Sequence, residues 1–272
     1  MAISINNNYA ASVALQNLSS TQSQLDGTQK RISTGRKVDS AQDNAAIYAV
    51  AEISKGEVSA QKATYDVVNQ GISLLAVTQD AGKKISDVLN RMLEKATAAQ
   101  SATLTTNQRN ALDAEFKQGI AEIGTIVTNA NFNGTNVINS TATDVKVLID
   151  AAGNQLTVTA QKLDAATLGV DAQAVDSVTN ATTAAGKVRD AIASMAGKLG
   201  AIGAFATRLD NTASFTKALI DANDKAISNL VDADLAEESA RLQSLQIKQQ
   251  LGTQSLSIAN KAPEILLSLF RN

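Results

Sequence analysis

The chain has 272 residues, 24 basic against 26 acidic side chains for a net charge of −2, no Cys, no His, no Trp, one Pro and only 3% aromatics. Absent thiols exclude a disulfide framework and thiolate metal sites, and absent imidazoles exclude the Ser-His-Asp triad and the commonest zinc sites. The near-zero charge argues against nucleic acid as a partner, and no apolar run approaches the ~18–20 residues that a membrane span needs.

Ala is the commonest residue, which suits closely approaching helices partnered along their length. The opening MAISINNNYA lacks the features of a cleaved signal peptide. Ala11, Leu15, Leu18, Gln22, Leu25, Gln29 and Ile32 then recur in steps of four and three, the seam of a helix packed on others. Gln at two seam positions favours a multi-helix core where polar groups meet across chains; a weak coiled coil is the plainer alternative. Gly35 is the expected helix stop, residues 35–39 read as a connector, and Ser40 with Asp43 resembles a capping box for the next helix.

Residues 40–100 predict one long helix, with an interruption at Gly56 or Gly71 left open. Val68, Ile72, Leu75, Leu89 and Leu93 keep the seam, and Leu74, Ala81, Ile85, Val88 and Met92 form a second stripe, so this helix is covered on more than one side. After SATLTTN a shorter helix turns Leu112, Phe116, Ile120, Ile123 and Val127 inward, and the turn formers of 129–141 end it. The period then changes. VKVLID, AAGN and QLTVTA predict a β-hairpin over 145–160, and the small polar residues of 161–180 read as an irregular surface segment.

From Val188 to Leu230 the four-three rhythm returns without a slip, roughly 65 Å of helix at ~1.5 Å per residue. Gly197, Gly200 and Gly203 inside it predict close helix contact or a flexible joint. After VDAD, where Asp232 and Asp234 read as connector and N-cap rather than metal ligands, the seam resumes at Leu235, Leu242, Leu245, Gln249, Gly252, Leu256, Ala259, Leu266 and Phe270. Ile247, Leu251, Ile258, Ile265 and Leu269 lie beside it, while Glu237 and Glu238 read as a solvated face. Pro263 is expected to kink or break this helix, leaving an apolar end, ILLSLF, that needs a binding partner.

The fold expected is mainly α: a long antiparallel helical or coiled-coil bundle with a small central β-hairpin that reverses the chain, both termini at the same end. Segments 1–39 and 231–272 form one domain and 40–230 another. The half-polar terminal seams are too sparsely apolar to be stable alone and are expected to order on association. No constellation of an enzyme rises above background: Gly82-Lys83 and Gly186-Lys187 lack the rest of a phosphate loop, and no cofactor is implied.

The ends carry a resemblance. Ile32-Ser33-Thr34-Gly35 followed by Asp39-Ser40-Ala41-Gln42-Asp43-Asn44-Ala45-Ala46 is similar to the amino-terminal signature of bacterial flagellins, NFNGTNVI over 131–138 resembles their Phe-Asn-Gly turn, and residues 231–270 resemble their carboxy-terminal block almost throughout. The short middle is closest to the compact alphaproteobacterial, Caulobacter-like type. The resemblance implies a structural subunit, not an enzyme, that is exported unfolded through the type III channel and polymerises with its own copies, and with paralogous flagellins, into an extracellular flagellar filament. The terminal helices would form the filament core through Leu15, Leu18, Leu25, Ile32, Leu242, Leu245, Leu256, Leu266 and Phe270, joined to the outer tube by a connector of Gly35, Arg36, Asp39, Asp232 and Asp234. Residues 139–180 leave no room for large outer domains. An export chaperone, a filament cap and hook-junction proteins would be further partners; a junction protein sharing these ends is the second reading, separated from the first by copy number. Arg91, Glu94 and Glu115 align with the face that the innate receptor for flagellin reads. Lys95 stands where a Leu is typical and Gly119 where an Arg is, so weak or absent receptor activation is expected.

Overall fold

The computed structural model describes residues 8–269, with side chains described through Lys261. Among these residues the order is α1 (Tyr9–Thr34), α2 (Ala45–Ala99), α3 (Thr106–Asn129), β1 (Val145–Leu148), β2 (Gln155–Val158), α4 (Val178–Val231) and α5 (Leu235–Leu269). The fold is mainly α with one small hairpin. α2 and α4 are continuous over 55 and 54 residues, so neither Gly56, Gly71 nor the 197–203 glycines interrupt them. α5 likewise runs past Pro263 without a break. The chain divides into two compact units, Met1–Gly56 with Ala222–Asn272, and Glu57–Asp221.

In the first unit α1 and α5 pair antiparallel. Leu18 fits against Gly252, Gln249 donates to Gln22 at 2.6 Å, and the Asn8 side chain donates to the Ala259 carbonyl at 2.8 Å, so the described beginning of the chain meets the last part of the helical pair. Gly35 takes the left-handed conformation (φ 70°) that stops α1. The expected Ser40–Asp43 capping box does not form. Asn44 caps α2 instead, accepting from the Ile47 N–H at 3.1 Å, while Asp43 closes the turn before it by accepting from the Asp39 and Ser40 N–H groups and the Ser40 hydroxyl. The helix starts at Ala45, beyond the Ser40–Asp43 turn, so Asn44 and not Ser40 precedes its first free amides.

In the second unit α3 folds back on α2 after a turn, entering through a capping box between Thr105 and Gln108. α4 runs antiparallel to α2, with Leu209 beside Gly71 and Leu199 beside Gly82. β1 and β2 pair antiparallel, Val145 opposite Val158 and Val147 opposite Leu156. The hairpin does not itself reverse the two halves, as the sequence suggested. It lies on the flank, where Val147, Leu156 and Val158 pack with Val68 and Leu75 of α2 and Ile202 and Leu209 of α4. A two-stranded sheet is marginal alone, and this apolar seat is what stabilises it.

The segment 161–177 is irregular but is not a surface loop. Leu163, Leu168, Val170 and Val175 are buried in the main core with Phe116, Ile123, Met92 and Met195. Its Leu163 and Gln161 N–H groups donate to the Ile138 and Val137 carbonyls at 2.8 and 2.9 Å, so the buried backbone is satisfied without regular structure. α4 correspondingly begins at Val178, ten residues before its seam is legible.

Candidate assembly surface

The α1–α5 pair turns an unexpectedly weak set of residues inward. On α1 Ala11, Ala14, Leu18, Thr21, Leu25, Thr28 and Ile32 are buried or half-buried in a three-four rhythm that shares only every second member with the predicted seam, with half-buried Gly27 and Arg31 beside it. Leu15, Gln22 and Gln29 lie outside it and are exposed. On α5 the inward positions are Glu238, Leu242, Leu245, Gln249, Gly252, Leu256 and Ala259, a perfect heptad rhythm. Of the predicted assembly residues, Leu25 and Leu245 are buried, Leu18, Ile32, Leu242 and Leu256 half-buried, and Leu15 exposed. The Leu266 side chain and Phe270 lie outside the described residues.

A second set of large apolar side chains of the pair faces outward. Tyr9 and Leu15 on α1 and Ile247, Leu251 and Ile258 on α5 are each more than half exposed. The three on α5 follow one another at spacings of four and seven, hence on one face, away from the seam. A monomer seldom leaves so many large apolar groups on adjacent elements in water.

The connector residues come together as a clasp. The backbones of Arg36 and Asp232 pair antiparallel as an isolated β-bridge, the Gly35 carbonyl accepts from the Ala233 N–H at 2.9 Å, and the Val231 carbonyl accepts from the Lys37 N–H at 2.8 Å. The Arg36 guanidinium faces Asp39 at 3.7 Å, and Asp234 caps α5 by accepting from the Ala236 and Glu237 N–H groups. Lys30 lies 3.1 Å from Asp43. Bonds from Lys30, the Ser40 hydroxyl and the neighbouring backbone N–H groups hold the Asp43 carboxyl down at about 2.

Sequence reasoning missed Glu238. It is not part of a solvated face: only 7% of it is exposed, its Oε1 pairs with the Arg31 guanidinium at 3.0 Å, and its Oε2 is buried with no partner. The signal was available, because extending the α5 heptad backwards from Leu245 and Leu242 places residue 238 on the seam. Adjacent Glu237 is exposed.

On α2 and α3, Arg91 pairs with Glu122 at 2.7 Å and Lys95 pairs with Glu115, while Glu94 is exposed on the same helix. Four of these five charged groups are therefore already engaged in ion pairs. Gly119 lets the two helices approach: a Cβ there would stand 2.7 Å from Met92 Cγ.

Among the described residues no cluster of His, Cys, Asp or Glu could hold a metal ion, and no helix is long and apolar enough to cross a membrane. The arrangement suits helix packing. The sequence matches the model of the bacterial flagellin N-terminal helical region over residues 5–143 and that of the C-terminal helical region over 185–270. Flagellin FljO and flagellin FljM of Caulobacter vibrioides are each 42% identical to it over 269 residues, 98% of either chain. The crystal structure of Bacillus cereus flagellin is similar with a TM-score of 0.50 and 28% identity, covering 54% of this chain and 86% of that one. With both helical ends matched and relatives aligned along their whole length, the chain belongs to the bacterial flagellin family.

Proposed function

We propose that this flagellin polymerises through the outward apolar faces of α1 and α5. It is a structural filament subunit, not an enzyme, and its partners are copies of itself and paralogous flagellins. The observation that carries the reading is the inverted terminal pair. Ala, Thr, Gly and Gln occupy much of the internal seam, whereas Leu15, Ile247, Leu251 and Ile258 face solvent. Burying those four against neighbouring copies would contribute on the order of 1.5–3 kcal/mol per side chain. In this reading the terminal segments form the filament core, residues 35–39 and 232–234 connect it to the outer part, and the filament lies outside the cell. An export chaperone, a distal cap and hook-junction proteins are the further partners we assign to it.

The test is seeded polymerisation of purified subunits, measured as sedimentable protein. Leu251→Ser and Ile258→Ser are expected to slow elongation at least tenfold while the unfolding midpoint of the 57–221 unit stays unchanged. Elongation at the rate of the unsubstituted chain in both variants would overturn the reading.

A further inference from the structure

Asn133 and Gly134 are the one Asn-Gly pair in the sequence. They form the exposed tip of a tight turn between α3 and β1, within the 57–221 unit and so apart from the terminal helices. Both take positive φ, 48° and 82°, as the central residues of a type I′ turn do. Phe132 and Thr135 close the turn by exchanging two backbone hydrogen bonds of 2.9 Å each. The Asn131 side chain adds a third, its Oδ1 accepting from the Gly134 N–H at 2.8 Å. Phe132 in turn packs against the main core.

An Asn that precedes Gly can cyclise, because no side chain shields the next backbone nitrogen. The Gly134 nitrogen would give up its proton to base and attack Asn133 Cγ. The new N–Cγ bond forms, the Cγ–Nδ2 bond breaks, and Nδ2 leaves as ammonia after taking a proton from water. A second water then opens the cyclic imide. Opening at Cγ gives an aspartyl residue, and opening at the backbone carbonyl carbon gives an isoaspartyl residue whose main chain runs through Cβ and Cγ. No oxidation or reduction is involved.

The folded turn opposes the first step in two ways. The proton that must leave is the one donated to Asn131, so deprotonation forfeits that bond. Bringing the Gly134 nitrogen round to Asn133 Cγ also requires rotation about the Asn133 Cα–C bond, which separates Phe132 from Thr135. An unfolded chain has neither restraint. The lengthened isoaspartyl backbone would no longer match the Phe132–Thr135 pairing that seats Phe132 on the core.

We propose that Asn133 is a deamidation site gated by folding, with the Asn131 carboxamide as the latch on the Gly134 nitrogen. Modification at Asn133 then records the time a chain has spent unfolded, and it is independent of how subunits assemble.

The test incubates the full chain in mildly alkaline buffer, native or in denaturing guanidinium, and follows conversion at Asn133 by peptide mass spectrometry. The denatured chain is expected to react at least tenfold faster than the native one. Asn131→Ala, kept native, is expected to react about tenfold faster than the unsubstituted native chain, the loss of one hydrogen bond, whereas Asn131→Asp retains an acceptor and stays slow. Asn136→Ala removes the bonds that Asn136 makes to Val127, Ile138 and Asn139 but none from Gly134, and its rate is expected to stay near that of the unsubstituted chain. Equal rates in native and denatured chain, an unchanged rate in Asn131→Ala, or equal acceleration in Asn136→Ala would each overturn the proposal. Amide exchange in the unsubstituted protein checks the latch without any variant, since base-catalysed exchange removes the same proton: Gly134 is expected to be protected, and exchange at the rate of an unstructured peptide would overturn it.

Discussion

The Asp113 carboxylate on α3 accepts the backbone N–H of Val175 at 2.8 Å across 62 residues of chain. That bond fixes the end of an irregular segment in the core, and Lys117 closes the other side of the carboxylate at 2.6 Å. Burial pushes the Asp113 carboxyl up, but the Lys117 ammonium and the Val175 N–H outweigh it and hold it below the usual carboxylate range.

A group held below its unfolded value stabilises fully above the ordinary carboxylate range and loses that contribution as pH falls through its folded value. The unfolding midpoint of the 57–221 unit is therefore expected to drop as pH is lowered from about 4. Asp113→Asn keeps an acceptor for Val175 but no charge for Lys117. It is expected to cost about 1 kcal/mol at neutral pH and to flatten the acid dependence, measured by thermal melts between neutral and acidic buffers.

Arg109 provides a second check on how the same unit is closed. It is buried and donates to the Ala99 carbonyl and, at 3.0 Å, to the Ser101 carbonyl, capping the end of α2. Arg109→Met leaves these acceptors without a donor and is expected to destabilise by ~1–3 kcal/mol in chemical denaturation. Arg109→Lys, with a point charge and no fork, should fall between the two.

The glycines separate into those the packing needs and those it does not. A Cβ on Gly197 or Gly200 would meet nothing within 4 Å, so Gly→Ala at either is expected to stabilise α4 by ~0.5–1 kcal/mol. Gly71 is different, since a Cβ there would meet Leu209 and both methyls of Val147 at 3.1 Å. Gly71→Leu should unseat the hairpin and cost on the order of 1–3 kcal/mol, visible as a lowered unfolding midpoint.

The α2–α3 face is expected to activate the innate flagellin receptor weakly or not at all. Arg91 and Glu115 are paired with Glu122 and Lys95, and Gly119 admits a side chain only by displacing Met92. A reporter-cell titration with purified subunit measures this, and a strong response would refute it. Lys95→Leu removes the cation from Glu115 and should raise any residual signal before a substitution at Gly119 does.

Much of the architecture was legible because helices and strands write their periods into the chain. The heptads along α2, α4 and α5, the stop at Gly35, the cap at Asp234 and the hairpin over 145–160 each follow from residue type and spacing. Three matters were decided only in three dimensions. On α1, residues 11, 18, 25 and 32 belong equally to two overlapping stripes, and the surface of α5 selected Ala14, Thr21 and Thr28 over Leu15, Gln22 and Gln29. Residues 161–177 show no period, yet four spaced apolar side chains found places in a core built by other elements. Glu238 looks like a surface residue by type, and is buried where Arg31, from the other end of the sequence, pairs with it. Periodicity records which faces a segment can bury; which face it does bury depends on the shape and charge of a partner distant in the chain, and that information no local stretch contains.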